Sequence, residues 1–284
     1  MPDDDAAQPT ELRKPEVEQI ENRGVPRPVV VYEVIRREGE TELCRPPQAL
    51  AFSGLAAGLS MGFSFVGQAI MRAHLPAAPW QVLVSSLGYC VGFLIVILGR
   101  QQLFTENTLT PVLPLLYRPT RARFAKVARL WAIVLACNLL GTFVFAWLLA
   151  GTSVVAPPVQ DALGAIARHA IEGDFWNLAV RGVFAGWLIA LMVWLLPAAE
   201  TARLWIIIIV TYVIGLGDFT HIVAGAVEVF YAAMLGAISW SHAIGGWFVP
   251  VLLGNLTGGL LLVAALNHAQ VRAGGSRRSA TPLD

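Results

Sequence analysis

Six long apolar runs dominate the chain, at about residues 49–73, 80–117, 129–151, 176–196, 204–236 and 246–267. A helix needs about 20 apolar residues to cross a hydrocarbon core of about 30 Å. Each run is therefore long enough to span a bilayer. The second and fifth are too long for one clean span, and each carries a polar patch: GRQQLFTENT at Gly99–Thr108 and GDFTH at Gly217–His221. Backbone released from helix at membrane depth is tolerated only inside protein or beside a cavity. The pattern predicts an all-α membrane protein with six transmembrane helices, the second and fifth broken. Paired breaks of this kind point to a transport site. Ahead of the spans, residues 1 to about 28 are polar and proline-containing and read as disordered. Val29–Leu43 predicts a short amphipathic helix that ends before Pro46–Pro47.

The two halves resemble each other. Phe104-Thr105-Glu106 pairs with Phe219-Thr220-His221, Asn138-Leu139-Leu140-Gly141 with Asn255-Leu256-Thr257-Gly258, and Ala57-Gly58-Leu59 with Ala185-Gly186-Trp187. Three spans is an odd number, so the second copy enters from the opposite side. The expectation is a 3+3 inverted repeat with its site at the midplane between the breaks. Gly54, Gly58 and Gly62 on the first span, and Gly254 and Gly258 on the sixth, read as close-packing faces, with Ser60 and Ser64 as packing hydroxyls.

Charge sets the orientation. Of 20 Lys and Arg, all but Arg72, Arg100, Arg168 and Arg181 fall in the N-terminal tail, the 118–129 loop, at Arg203 or in the C-terminal tail. Both termini are thus expected in the cytoplasm. The expected organisation is a cytoplasmic tail at 1–45, a channel domain at 46–268 and a second tail at 269–284. The N-terminus (MPDDDAAQPTELRKPEVEQIENRG) has no basic stretch followed by an apolar one, so the first span serves as the membrane signal. Trp80, Trp176, Trp205, Trp240 and Trp247 lie near span ends and read as interfacial anchors.

Composition agrees: 56% of residues are hydrophobic and 14% charged, against about 25% charged in soluble domains. A net charge of +1 offers nucleic acid no attractive field. Cys44, Cys90 and Cys137 are scattered, and His74, His169, His242 and His268 have no metal-like grouping. No nucleophile motif or phosphate loop is present, so neither an enzyme nor a metal, nucleotide or other cofactor is expected.

The segments LGYCVGFLIVILGRQQLFTENTL, GDFTHIV and WFVPVLLGNLTGG resemble the second-span break, the fifth-span break and the sixth span of the formate–nitrite transporters, and more narrowly their YfdC-like branch. The resemblance covers about residues 49–268. It implies a bacterial inner-membrane protein with an aquaporin-like fold, assembled as a homopentamer with one pore per subunit for small monovalent anions. It also implies a central histidine, His221, facing the hydroxyl of Thr105. Apolar constrictions would lie at Leu103, Tyr89 and Phe93 on one side and near Ile214 on the other, with Phe104, Phe219 and Thr220 along the path.

The sequence departs from the family in its charges. The customary GFEH is Asp218-Phe219-Thr220-His221, and ELFT is Gln102-Leu103-Phe104-Thr105 followed by Glu106. A family asparagine falls on Gly186 and a vestibule lysine near Ala170, where His169, Arg168 or Arg181 could substitute. Glu228, seven residues beyond His221, adds a carboxylate on nearly the same helix face or serves as a helix-end ion pair. Glu106 and Asp218 read either as caps of the half-helices or, for Glu106, as the counterpart of His221, meeting it at the centre as a proton couple. An ion is costly in an apolar constriction, whereas a weak acid that picks up a proton crosses as a neutral molecule. Histidine titrates near pH 6.5, so it can exchange that proton.

The leading expectation is a channel or proton-coupled transporter for a small monovalent weak-acid anion. The second is a pore for a small neutral or weakly basic solute, which the added carboxylates favour. An orthodox water channel would carry Asn-Pro-Ala, which is absent. The third is a non-conducting membrane sensor or scaffold using the N-terminal tail.

Overall fold

A computed structural model describes residues 26–199 and 201–276. Most of the stretch read as disordered, with Arg13, Lys14 and Arg23, and the tail cations Arg277 and Arg278 lie outside the described residues. The described chain is helical, without a strand. Its helices are α1 (Pro28–Leu43), α2 (Pro47–His74), α3 (Gln81–Leu98), α4 (Val112–Tyr117), α5 (Arg121–Gly151), α6 (Pro157–Ala170), α7 (Phe175–Leu195), α8 (Arg203–Leu216) and α9 (Ala224–Met234). A last helix, α10, starts at Trp240 and runs through two π-helical stretches, Ala243–Phe248 and Gly258–Ala265, into Leu266–Ser276.

Local chemistry sets the ends. Proline opens α1, α2 and α6, where its missing N–H costs nothing. The Thr120 hydroxyl accepts from Arg123 N–H to cap α5, and Asp174 accepts from Asn177 N–H to cap α7. Five helices, α2, α3, α5, α7 and α10, are long and apolar enough to cross a membrane, and α8 and α9 are shorter apolar helices. The predicted second run divides into α3 and α4 and the predicted fifth into α8 and α9, each stopping where its polar patch begins. The residue two beyond each stop, Arg100 (φ 50°) or Asp218 (φ 54°), is left-handed. An L-residue pays about 1 kcal/mol for that conformation, and here it turns the chain out of the helix. Helix α6, packed on α2 and α9, is not among the elements the apolar pattern predicts.

The glycine faces pack as expected. A Cβ on Gly58 would collide with the Asn138 carbonyl, and one on Gly186 with the Asn255 carbonyl. These contacts bring α2 against α5 and α7 against α10. Trp247 is corrected: it is 1% exposed, and its Nε1–H donates to the Ala170 carbonyl at 2.9 Å. It is a packing residue of the interior, not an anchor at the membrane surface.

The predicted amphipathic helix forms as α1 and docks on the bundle. Arg36 lies between Glu33 (2.7 Å) and Glu40 (2.6 Å), with its guanidinium 4.8 Å from the centre of the Tyr117 ring. Farther along, Arg100 pairs with Glu38 (2.8 Å) and Gln102 Nε2 donates to Glu42 (2.9 Å). The Arg36 hydrogen bonds, followed by those of Arg37, lower Glu33 from 4.5 to about 2. A lowered acid contributes stability above its unfolded value and loses it as pH falls through the folded one. The support these pairs give to the helical turn of α1 is therefore expected to hold from neutral pH to about 4.5 and to weaken only as pH falls toward about 2. Amide exchange of α1 followed against pH checks this; loosening that begins above pH 5 would contradict it.

Candidate functional site

Each break is tied to the next long helix by one asparagine. In the first half Asn138 Oδ1 accepts from Phe104 N–H at 2.9 Å, while its amide donates to the carbonyls of Gln102 (2.9 Å) and Gly54 (2.7 Å). In the second half Asn255 Oδ1 accepts from Ile222 N–H at 2.9 Å, and its amide donates to Thr220 and Gly182, both at 2.9 Å. Both side chains are fully buried. Backbone released from helix must find partners when buried, and the clamp engages two backbone groups of each break and one carbonyl of a neighbouring helix, Gly54 of α2 or Gly182 of α7.

These bonds correct the predicted register of the two breaks by three residues. Gln102 corresponds to Thr220 and Phe104 to Ile222, so the counterpart of His221 is Leu103 and that of Glu106 is Ala224. The left-handed Arg100 and Asp218 obey the same offset.

His221, 1% exposed, has both ring nitrogens engaged. Ala224 N–H donates to Nδ1 at 3.1 Å, and Nε2 lies 2.7 Å from Thr105 Oγ1. A nitrogen that accepts a backbone N–H carries no proton, so the neutral ring has its hydrogen on Nε2 and donates it to Thr105. The Thr105 hydroxyl proton is left for another acceptor. The edge of the Phe93 ring faces the imidazole at 5.0 Å between centroids.

Two cavities lie nearby and share no lining residue; His221 lines one of them, and the fully buried Thr105 lines neither. One, of about 530 Å³ on the side of α1, is lined by Leu103, Glu106, Gln102, Ile97 and Arg203, with Glu38 and Glu42 from α1. The other, of about 580 Å³ on the far side, is lined by His221, Tyr89, Ile214, Phe219, Thr220, Glu228, Asp218, Arg181, His169, Ala170 and Trp247. Leu103 and His221, equivalent in the two halves, thus each face a different cavity.

Several expectations change here. Tyr89 and Ile214 line the same cavity rather than opposite sides, and Leu103 lines the other. Phe93 packs on Tyr89 and His221 and lines neither. Phe104 is buried with its ring edge toward Trp131, so it packs the break and does not line a cavity. Glu106 faces the α1-side cavity, apart from His221, so the two do not meet as a proton couple. Thr220 donates to the Leu178 carbonyl at 2.8 Å, and Phe219 stacks on Phe184 at 5.1 Å. Asp218 does not cap α9, whose N-cap is Val223; it pairs with Arg181, and with His169 at 3.1 Å. Gly186 is a packing position with no room for a side chain, not a site from which a pore amide was lost. Near Ala170, His169 and Arg181 line the cavity, and Arg168 does not. In the sequence Asn138 and Asn255 are visible only as a repeated motif; a polar residue inside an apolar run is the signal for their role. Among the described residues no group of three His, Cys, Asp or Glu side chains is placed to hold a metal ion.

A bundle of apolar helices with two broken members and a buried polar pair at one of two separate cavities defines a membrane transporter or channel. The sequence profile described as formate/nitrite transporter matches residues 29–269, and the chain belongs to that family. It is 41% identical over 260 residues to the inner membrane protein YfdC of Escherichia coli, covering 92% of this chain and 84% of the relative. It is 24% identical over 242 residues to the formate channel FocA of Haemophilus influenzae, covering 76% of this chain and 84% of that one. Among solved structures, an ion channel of the same family aligns with a TM-score of 0.70 at 19% identity, over 89% of this chain and all of that one. A pentameric formate channel with formate bound aligns with a TM-score of 0.64 at 20% identity, over 81% and 96%. Both show the fold.

Proposed function

We propose that the chain forms a channel or transporter for a small monovalent weak-acid anion of the formate or nitrite type, crossing as the neutral acid. The observation that carries this is the His221–Thr105 pair, a buried polar threshold at one of two cavities that share no lining residue. An anion faces a steep cost in a passage edged by Leu103 and Phe93; its conjugate acid does not. The Thr105 hydroxyl and the Nε2–H that steers it would serve a passing carboxyl oxygen.

In this reading α3 with α4, and α8 with α9, are the broken second and fifth of six spans. The halves are inverted copies, and the matching asparagine clamps support this. The Lys and Arg distribution supports cytoplasmic termini in a bacterial inner membrane, with the α1-side cavity facing inward. Residues 46–268 form the channel unit between the two tails. A homopentamer with one path per subunit follows the assembly of the formate channel it resembles. A second reading, a path for a small neutral or weakly basic solute, is favoured by the carboxyls of Glu106 and Glu228 on the two cavities.

The test is formate-driven internal acidification of proteoliposomes. The wild type is expected to acidify rapidly. His221→Ala should change the rate by roughly tenfold or more, the effect of about 1.4 kcal/mol at the barrier. Ammonium-driven alkalinisation without formate flux, in a correctly assembled protein, would establish the second reading instead.

A further inference from the structure

We infer that Glu228 is the proton-exchange residue of the far-side cavity: its carboxylic acid protonates the entering anion, and its carboxylate takes the proton back from a departing acid. This rests on the weak-acid reading above.

Four observations lead to it. Glu228 is 9% exposed, lines the cavity that reaches His221, and has no hydrogen-bond partner among the described residues. It stands on α9, which begins three residues beyond His221, and it shares the cavity with that histidine. A carboxylate buried without donor or counter-ion is costly, and a proton relieves that cost. Of the cations on this cavity, Arg72 lies exposed at the rim, and Arg181 and His169 each hold other partners. Arg181 pairs with Asp218, and its Nε donates to the Asp218 carbonyl at 2.6 Å. His169 bridges Asp218 (3.1 Å) and Glu172 (3.0 Å). That cluster binds the charges that α6, α7 and the α8–α9 break bring to this cavity to one another, and none of them forms an ion pair with Glu228. From α3 the facing group is the Tyr89 phenol, and from α10 the buried indole of Trp247.

The second line is the state of the histidine. With Nδ1 accepting Ala224 N–H, His221 cannot take a second proton without losing that bond. Another group must therefore supply the proton before the threshold. Arg72, exposed at the cavity rim, would draw the anion in. The transfer is Glu228–COOH + HCOO⁻ → Glu228–COO⁻ + HCOOH: the carboxyl O–H breaks and the formic O–H forms. The neutral acid then passes His221 and Thr105, and bulk water on the same side returns a proton to Glu228. One proton accompanies each anion, and no net charge crosses.

The test compares wild type, Glu228→Gln and Glu228→Asp as purified oligomers in proteoliposomes, with formate flux recorded across a range of external pH. Glutamine cannot deliver a proton. At neutral external pH its flux is expected to fall by about 100-fold, the scale of a positioned acid. As the external pH is lowered, bulk solution supplies formic acid directly, so Glu228→Gln flux should climb steeply toward the wild-type rate. Aspartate should restore most of the neutral-pH flux. Wild-type rate and pH profile in Glu228→Gln would overturn the role of Glu228 and leave the channel reading standing. Equal loss at every pH, unrescued by aspartate, would mark a purely structural role and also overturn it. Absence of weak-acid flux in the wild type would remove the channel reading, and this inference with it.

Discussion

Asn255→Ala is expected to collapse the break between α8 and α9. The Ile222 N–H and the Thr220 carbonyl would lose their partner inside a fully buried region, while the Gly182 carbonyl, inside α7, would lose an extra donor. Each orphaned group costs about 1–3 kcal/mol. The two together are on the order of 4 kcal/mol, a large part of the stability of many folded domains. Heating the detergent-solubilised protein and following the oligomer by size-exclusion chromatography measures the effect; the variant should aggregate at a far lower temperature than wild type or fail to assemble. Asn138→Ala should behave alike, since it orphans the Phe104 N–H and the Gln102 carbonyl and takes the extra donor from the Gly54 carbonyl. Asn255→Asp keeps the acceptor for Ile222 but sets a carboxyl against two carbonyls, and should not rescue. A wild-type melting profile for both alanine variants would mean that water or rearranged backbone replaces the clamps.

Gly186→Ala is the second large effect. On intrinsic helix propensity the change should stabilise, since alanine is better than glycine by about 1 kcal/mol. Here a Cβ would sit impossibly close to the Asn255 carbonyl, which belongs to a clamped backbone and cannot give. Overpacking of this kind costs about 1–3 kcal/mol even where side chains can move. The sign should therefore reverse, with a lower melting temperature and loss of transport. Gly151→Ala is the control: nothing lies within 4 Å of the place its added methyl group would occupy, and at the last residue of α5 it should be neutral to slightly stabilising. Equal behaviour of the two variants would show that α7 and α10 can part at little cost.

Much of this is legible in the sequence. Run length announces the spanning helices, and the patches at Gly99 and Gly217 announce the breaks, because a bilayer punishes polar backbone wherever it is not sheltered. Spacing of four shows the glycine faces. The register of the repeat is harder. Phe-Thr is present in both breaks, and matching it pairs Glu106 with His221; hydrogen bonding pairs Leu103 with His221 instead. Sequence likeness follows side chains, whereas equivalence in a broken helix follows which carbonyl and which N–H are left over. Tyr89 and Ile214 fall on opposite sides in the linear reading because an order of constrictions along the chain does not show how α3 and α8 converge. Trp247 looks like an anchor from its nearness to a span end, yet α10 starts early enough to carry it inside. Helix α6 mixes Asp161, Arg168 and His169 with small apolar residues, too little contrast for an apolar run to register.

The pairing of Leu103 with His221 has one more consequence. The two clamps hold the backbone without using the side chains at this register position, although His221 accepts the Ala224 N–H on its own account. Scaffold and solute chemistry are therefore separable inheritances. A chain built this way can exchange the character of its threshold, or move its charges between Glu106, Glu228 and Asp218, without reopening the question of how its helices are joined. Diversification in what such proteins admit can proceed by single residues, while the joints stay as they are.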